Sequence, residues 1–220
     1  PDAILHFTDP RQWLWLYQME HEVRQNIPIF FYHIWDDLPD PLYNRDYYEC
    51  CDWIGCISKQ TYGLTKRVWG STKESQWHQP SENQIDYVPH GIDTDIFQPI
   101  DENHKDFELM NDFHEKLFEG KNPEFVLFYN SRNIHRKRIT NAIYAFKRFL
   151  DGLDEEKRDG CRFILHTTPV DNNGTDLPKF IKHLAPEYID NFIFSTEKVS
   201  SEQLNALYNI GDATIHVSSN

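Results

Sequence analysis

The chain has 220 residues and carries 22 lysines and arginines against 35 aspartates and glutamates, a formal net charge of −13. That length admits one large domain or two small ones at roughly 150 residues per domain, and the acidity weighs against general binding to nucleic acid or anionic membrane. The longest clean apolar run, Ile27–Tyr32, is too short to cross a bilayer, no secretory signal is visible, and the 15 Phe, 11 Tyr and 6 Trp supply large apolar surfaces for a core.

Along the chain, Ala3–Phe7 is expected to form a strand. Thr8 or Asp9 then caps a helix with Pro10 in its first turn, where the missing N–H costs nothing. That helix carries Trp13, Leu16, Tyr17 and Val23. Strands are expected at Ile27–His33 and Trp53–Ile57, a helix capped by Ser58 runs to about Trp69, and a fourth strand at Ile85–Val88 leads into Pro89-His90-Gly91-Ile92-Asp93. His90 and Gly91 read as a tight turn in which glycine suits an unusual backbone angle.

The stretch Ile100–Asn122 is polar and is expected to connect two patterned halves, with a helix over about Phe107–Phe118. The second half alternates cleanly. Phe125–Tyr129 has strand length; Ile139, Ile143, Phe146 and Leu150 fall on one helical face. Arg162–His166 is a strand, Asp171–Asp176 a loop, Leu177–Leu184 a helix and Phe192–Phe194 a short strand. Ser200 and Gln203 form a capping box, Gly211 stops that helix, and Leu204, Leu207 and Tyr208 are expected on its buried face. Ala213–Val217 is the last strand. Strands separated by helices imply parallel sheets with crossover helices. The expected domains are 1–99, a connection 100–122, and 123–220, with net charges of −8, −4 and −1. Four cysteines, Cys50, Cys51, Cys56 and Cys161, lack the spacing of a zinc site and read as reduced thiols of a cytoplasmic protein.

The chemistry concentrates in Asn130-Ser131-Arg132-Asn133-Ile134-His135-Arg136-Lys137-Arg138, where four fixed positive charges fall within seven residues between a strand and a helix. Cations at a helix N-terminus are unfavourable by a few tenths to ~1 kcal/mol each. Their presence there is explained by an anion, because exposed N–H groups, the helix dipole and Arg/Lys together make a phosphate site. The competing reading is a solvated basic loop paired with Asp151 or Glu155.

Arg132 followed five residues later by Lys137, ahead of the apolar helix Ile139–Leu150, resembles the donor-diphosphate motif of retaining glycosyltransferases of family 4. Three further pieces agree in order: Asp52-Trp53-Ile54-Gly55-Cys56-Ile57-Ser58-Lys59; Tyr87-Val88-Pro89-His90-Gly91-Ile92-Asp93 with Phe97 and Pro99; and Leu204-x-x-Leu207-Tyr208-x-x-Gly211-Asp212-Ala213. The resemblance implies an α/β chain of the GT-B fold, two Rossmann-like domains with parallel sheets facing across a cleft, incomplete at both ends. The first would be the acceptor-side domain and the last the nucleotide-sugar domain. The resemblance also implies a diphosphate site at Arg132 and Lys137, a nucleotide-base contact near Val199 after the Phe192–Phe194 strand, and, with a one-position gap, an active-site role for His33. His166-Thr167-Thr168-Pro169, at the end of its own strand, is a weaker donor contact. Ser131 stands where the family has a glycine. The family's paired-glutamate motif would begin near Val217-Ser218-Ser219-Asn220, so the chain is expected to be an internal piece of a longer enzyme, inactive alone. Asp36 and Asp37 resemble a metal or acid pair but read as an acceptor-facing loop, since the family generally needs no bound metal.

The expectation is therefore a retaining hexosyltransferase-type enzyme acting from a nucleotide-diphosphate sugar as co-substrate, with no cofactor, no metal, a glycan or lipid-linked acceptor, no nucleic acid partner and no strong membrane binding. The alternatives are a non-catalytic α/β nucleotide- or sugar-binding module, or a GT-B sugar-nucleotide epimerase. A phosphorylase would require a Schiff-base lysine that no segment announces.

Overall fold

The computed structural model describes residues 1–71 and 81–219, and the chain divides into two compact units, Pro1–Gly91 and Ile92–Ser219. The first is built in the order β1 (Ile4–His6), α1 (Leu14–Gln18), α2 (Glu20–Val23), β2 (Ile29–His33), α3 (Arg45–Glu49), β3 (Trp53–Cys56), α4 (Lys59–Trp69) and β4 (Ile85–Tyr87). The second runs α5 (Phe107–Phe118), β5 (Phe125–Asn130), α6 (Ile139–Asp151), α7 (Glu155–Asp159), β6 (Cys161–His166), α8 (Leu177–Leu184), β7 (Phe192–Ser195), α9 (Ser201–Ile210) and β8 (Ala213–Thr214).

The first unit holds a four-stranded sheet in the order β1-β2-β3-β4, every pair parallel. β2 alternates buried and half-buried residues, so Ile29, Phe31 and His33 point into the core with Tyr48, Ile54, Cys56 and Val68 while Phe30 and Tyr32 face the other way. Asp9 caps a 3₁₀ turn at Pro10–Trp13 that leads into α1, and Ser58 caps α4 through the Thr61 amide. Of the expected first-helix face only Leu16 and Tyr17 are buried; Val23 packs partly buried against the core, and Trp13, in the 3₁₀ turn ahead of α1, is 36% exposed.

The second unit holds a parallel sheet in the order β7-β6-β5-β8. Its strands bury both faces, which explains their nearly continuous apolar sequences. Phe163, Leu165 and Tyr129 pack with α6 and α8 on one side, while Ile164, Val126 and Phe128 pack with α5 and α9 on the other. The register sets Asn130 beside His166 and His166 beside Ser195, so three strands end level and their following loops lie at one sheet edge.

Residues 92–99, expected in the first domain, and 100–122, expected as a connection, pack within the second unit. Phe113 and Leu117 of α5 lie against Leu207. Asn205 and Asn209 both donate to the Gln98 carbonyl, at 2.9 and 3.1 Å, and the Ile100 amide donates to Asn209 at 2.8 Å. Those bonds correct the expected face of α9: Asn205, Ala206 and Leu207 are its buried residues, and Tyr208 is exposed. Gly211 ends α9 with φ −78°, so its role is not a left-handed cap. A side chain there would lie 2.8 Å from Phe128 Cβ, which makes the glycine a close-approach residue. Gly91 likewise has no left-handed backbone and stands in open space, contrary to the tight-turn reading. The last strand covers only Ala213–Thr214 of the expected Ala213–Val217. The four cysteines are free thiols, three of them buried. No helix among the described residues is long and apolar enough to cross a membrane.

Candidate functional site

The basic loop leaves the carboxyl end of β5 and enters α6 through a 3₁₀ turn at His135–Lys137. Three contacts fix its path. The Tyr129 hydroxyl donates to the Lys137 carbonyl at 3.3 Å, the Lys137 amide donates to the Ile134 carbonyl at 2.9 Å, and the Ser219 amide donates to the Arg136 carbonyl at 2.9 Å. Arg138 is the N-cap of α6 in a left-handed conformation, φ 44° and ψ 42°, and contributes no side-chain cap. A non-glycine residue held there costs on the order of 1–3 kcal/mol, a strain that marks ligand-binding turns as a class. By contrast α4, α8 and α9 begin with side-chain caps from Ser58, Asp176 and Ser200. The 13-residue helix α6 thus presents an uncapped N-terminus next to Lys137 and Arg138.

Arg132 is 65% exposed, and its Nε donates to Asp171 Oδ2 at 3.2 Å. Lys137 is half-buried, and among the described residues its ammonium has no ion-pair partner. Asp151 is held by Lys147 at 2.9 Å rather than by the loop. Arg132 and Lys137 stand at the two ends of a short turn.

Between them lies Asn133, 2% exposed, which sequence reasoning passed over. Its side-chain amide donates to the carbonyls of Thr168 (3.1 Å), Pro169 (3.3 Å) and Thr175 (2.6 Å), and its Oδ1 accepts from the Thr175 amide at 3.2 Å. The His135 amide adds a bond to the Asn173 carbonyl at 3.0 Å. Gly174 lies flat on the same residue, where a Cβ would sit 2.2 Å from the Asn133 carbonyl oxygen. The loop after β5 is thereby fastened to the loop after β6. A signal for half of this was present, since Asp171-Asn172-Asn173-Gly174 has turn chemistry. The Asp171 carboxylate accepts from the Asn173 amide at 2.9 Å. That bond, helped by Arg132, holds its carboxyl below the usual carboxylate range.

Two further strand ends lie at this edge. His166 Nδ1 and Ser195 Oγ are 2.9 Å apart, and burial lowers the pKa of that imidazole. The adjacent Thr167 hydroxyl is buried with no hydrogen-bond partner among the described residues. Val199 is half-buried in a cavity of about 270 Å³ between α5 and the end of β7, lined also by Phe113, Leu117, Ile193 and Thr196. Lys116 and Glu197 pair at 2.8 Å on its rim.

His33 is a correction. Its ring is 1% exposed and both nitrogens are occupied. Thr65 gives its hydroxyl proton to the Thr61 carbonyl at 2.7 Å, so it accepts from His33 Nδ1–H at 3.0 Å, and Tyr48 donates to Nε2 at 3.2 Å. Burial drives its pKa down to about 3. A neutral imidazole closed on both sides offers no nitrogen to a substrate, because strand alternation turns residue 33 inward. His90 is also internally engaged: Tyr32 donates to the Val88 carbonyl at 2.8 Å and accepts from His90 Nδ1 at 3.1 Å. The Asp37 carboxylate accepts from the Leu38 amide at 2.8 Å. Among the described residues, no three His, Cys, Asp or Glu side chains gather as a metal site would need.

No protein-family model matches the chain, and no curated protein matches it. Solved structures do match over nearly its whole length. The N-terminal domain of a Candida albicans trehalose-6-phosphate phosphatase superposes with a TM-score of 0.70 at 16% identity, covering 98% of this chain and 50% of that one. A UDP-forming α,α-trehalose-phosphate synthase from Burkholderia xenovorans gives 0.68 at 16% identity, covering 99% and 53%. An E. coli trehalose-6-phosphate structure bound with UDP-2-fluoro glucose gives 0.67 at 15% identity, covering 99% and 53%. The chain spans about half the length of the structures it matches. The likeness establishes the fold: an α/β chain of the GT-B class, with two parallel-sheet units.

Proposed function

We propose that the chain is part of a GT-B glycosyltransferase that moves a sugar from a nucleotide-diphosphate donor to an acceptor with retention of configuration. The observation that carries this reading is the loop Asn130–Arg138. Arg132 and Lys137 flank a fastened turn that opens onto the uncapped N-terminus of α6, at the carboxyl edge of a parallel sheet. The fold is shared with a structure bound to UDP-2-fluoro glucose, a nucleotide-sugar analogue. The family-4 motif order read in the sequence supports retention.

In the proposed reaction the bond from the anomeric carbon to the donor phosphate breaks, and negative charge grows on the departing nucleoside diphosphate. Arg132, Lys137 and the α6 dipole stabilise that charge more in the transition state than in the ground state, which is the condition for catalysis. The acceptor oxygen bonds to the anomeric carbon on the face from which the phosphate leaves, which yields retention, and the departing phosphate takes the acceptor proton. The cavity at Val199 suits the nucleotide base, with Val199, Phe113 and Leu117 as its apolar walls. His33 has no part in this scheme.

Calorimetric titration tests the reading. UDP, GDP or ADP should bind at least tenfold more tightly than the corresponding monophosphate, since the second phosphate adds charge-assisted bonds at ~1.4 kcal/mol per factor of ten. Equal affinity for mono- and diphosphate would leave the loop without a diphosphate role.

A further inference from the structure

We propose that Asp171 is a positioning residue of the anion site, which aims the Arg132 guanidinium at the diphosphate. The proposal rests on the nucleotide-diphosphate reading of the loop and extends it to a residue on a different strand connection.

Asp171 opens the turn that Gly174 closes: the Gly174 amide donates to the Asp171 carbonyl at 3.0 Å, and the Asn173 amide to its carboxylate at 2.9 Å. That turn cannot drift relative to Arg132. Asn133, the next residue in the chain, is bonded to Thr168, Pro169 and Thr175 on either side of it, and Gly174 rests on the Asn133 carbonyl. An Asn side chain has only two N–H donors, so three carbonyls around one amide nitrogen mean a shared, crowded clamp. The result is a carboxylate on a fixed mount, its side chain 14% exposed, beside an arginine that is 65% exposed.

The geometry of the pair separates aiming from blocking. Asp171 engages Nε alone, at 3.2 Å. Neither terminal nitrogen of Arg132 has a hydrogen-bond partner among the described residues, so the face of the guanidinium that grips phosphate in a two-pronged way stays open. A carboxylate acting as an internal substitute for phosphate would take that face itself. Arginine side chains lose much rotamer freedom when they bind, and an arginine already held through Nε has less to lose.

The test is a double-mutant cycle read by calorimetry. UDP, GDP and ADP are each titrated, and the tightest is followed through Asp171→Asn, Arg132→Ala and the double variant. Asparagine retains an acceptor for the Asn173 amide. Asp171→Asn should weaken binding about threefold to tenfold, and should cause no further loss once Arg132 is alanine. Arg132→Lys reads the contact from the other side and is independent of how Asp171→Asn folds. It keeps the charge, loses the Nε donor, and should weaken binding by a similar factor. A loss from Asp171→Asn that persists in the Arg132→Ala background would overturn the proposal, because Asp171 would then act through loop stability. Tighter binding by Asp171→Asn would overturn it too, with Asp171 shown to compete with the phosphate, and so would an Arg132→Lys chain as tight as the parent. If Arg132→Ala itself changes nothing, or no nucleotide binds the parent chain, the diphosphate reading fails and Asp171 loses its role with it.

Discussion

Replacing Gly174 with alanine is the sharpest perturbation of the site that leaves every charge in place. The added Cβ would lie 2.2 Å from the Asn133 carbonyl oxygen, 2.5 Å from its side-chain oxygen and 2.8 Å from its carbonyl carbon. Two of those atoms are backbone, so no side-chain rotation relieves the overlap, and the two loops must separate by about 1 Å to restore ordinary contact. Overpacking of this kind costs roughly 1–3 kcal/mol. The movement also strains the bond from Asn133 to the Thr175 carbonyl and carries Arg132 with it. A displacement of ~1 Å at a binding constellation costs up to about a hundredfold in function. Gly174→Ala should therefore lower the urea midpoint and weaken nucleoside-diphosphate binding at least tenfold, both read on the same preparation. An alanine variant with parental stability and parental affinity would refute the fastened-loop account.

Three further outcomes are expected. Gly91→Ala meets no atom within 4 Å and needs no left-handed backbone, so chemical denaturation should show stability unchanged or raised by about 0.4–1 kcal/mol through the unfolded chain; a clear loss would return the turn reading. Because the folded pKa of His33 is about 3 against 6.5, the unfolded chain takes up a proton first, and stability is full above about pH 6.5 and falls toward pH 3. His6 and His166, also lowered by burial, act in the same direction, with each proton worth about 1.4 kcal/mol per pH unit at most; urea unfolding that is flat between pH 6.5 and 5 would contradict the buried neutral ring. The first 99 residues carry net −8, so anionic vesicles at neutral pH should not retain the chain through charge; salt-sensitive retention in a flotation assay would show otherwise.

Most of the fold could be read from local signals, and the places where the reading stopped share a cause. α8 begins where Asp176 and Pro178 announce a helix start, and α5 spans the expected Phe107–Phe118, because caps and 3.6-residue periodicity act within a few residues. The buried face of α9 departs from its apolar periodicity because Asn205 and Asn209 bond to Gln98, a partner more than a hundred residues away, and such a bond leaves no mark on periodicity. His33 looked available because it ends a strand, yet Tyr48 and Thr65, from α3 and α4, close both of its nitrogens. At the site, charge spacing singled out Arg132 and Lys137. Asn133, Asp171 and Gly174 stayed hidden because their function is to join two loops about 40 residues apart, and only the parallel register of β5 with β6 brings those loops together.

If Arg132 and Lys137 hold the diphosphate of a nucleotide donor, calorimetric titration of three alanine variants will separate them from their neighbour. Each charge-assisted contact is worth roughly 1.5–3 kcal/mol when partly shielded from water. Arg132→Ala and Lys137→Ala should therefore each weaken UDP or GDP binding by about tenfold to a hundredfold. Arg136→Ala, which removes a neighbouring charge of the same sign to which the motif assigns no phosphate, should weaken it far less. Equal and small losses for all three would contradict the account, leaving the loop a diffuse positive patch.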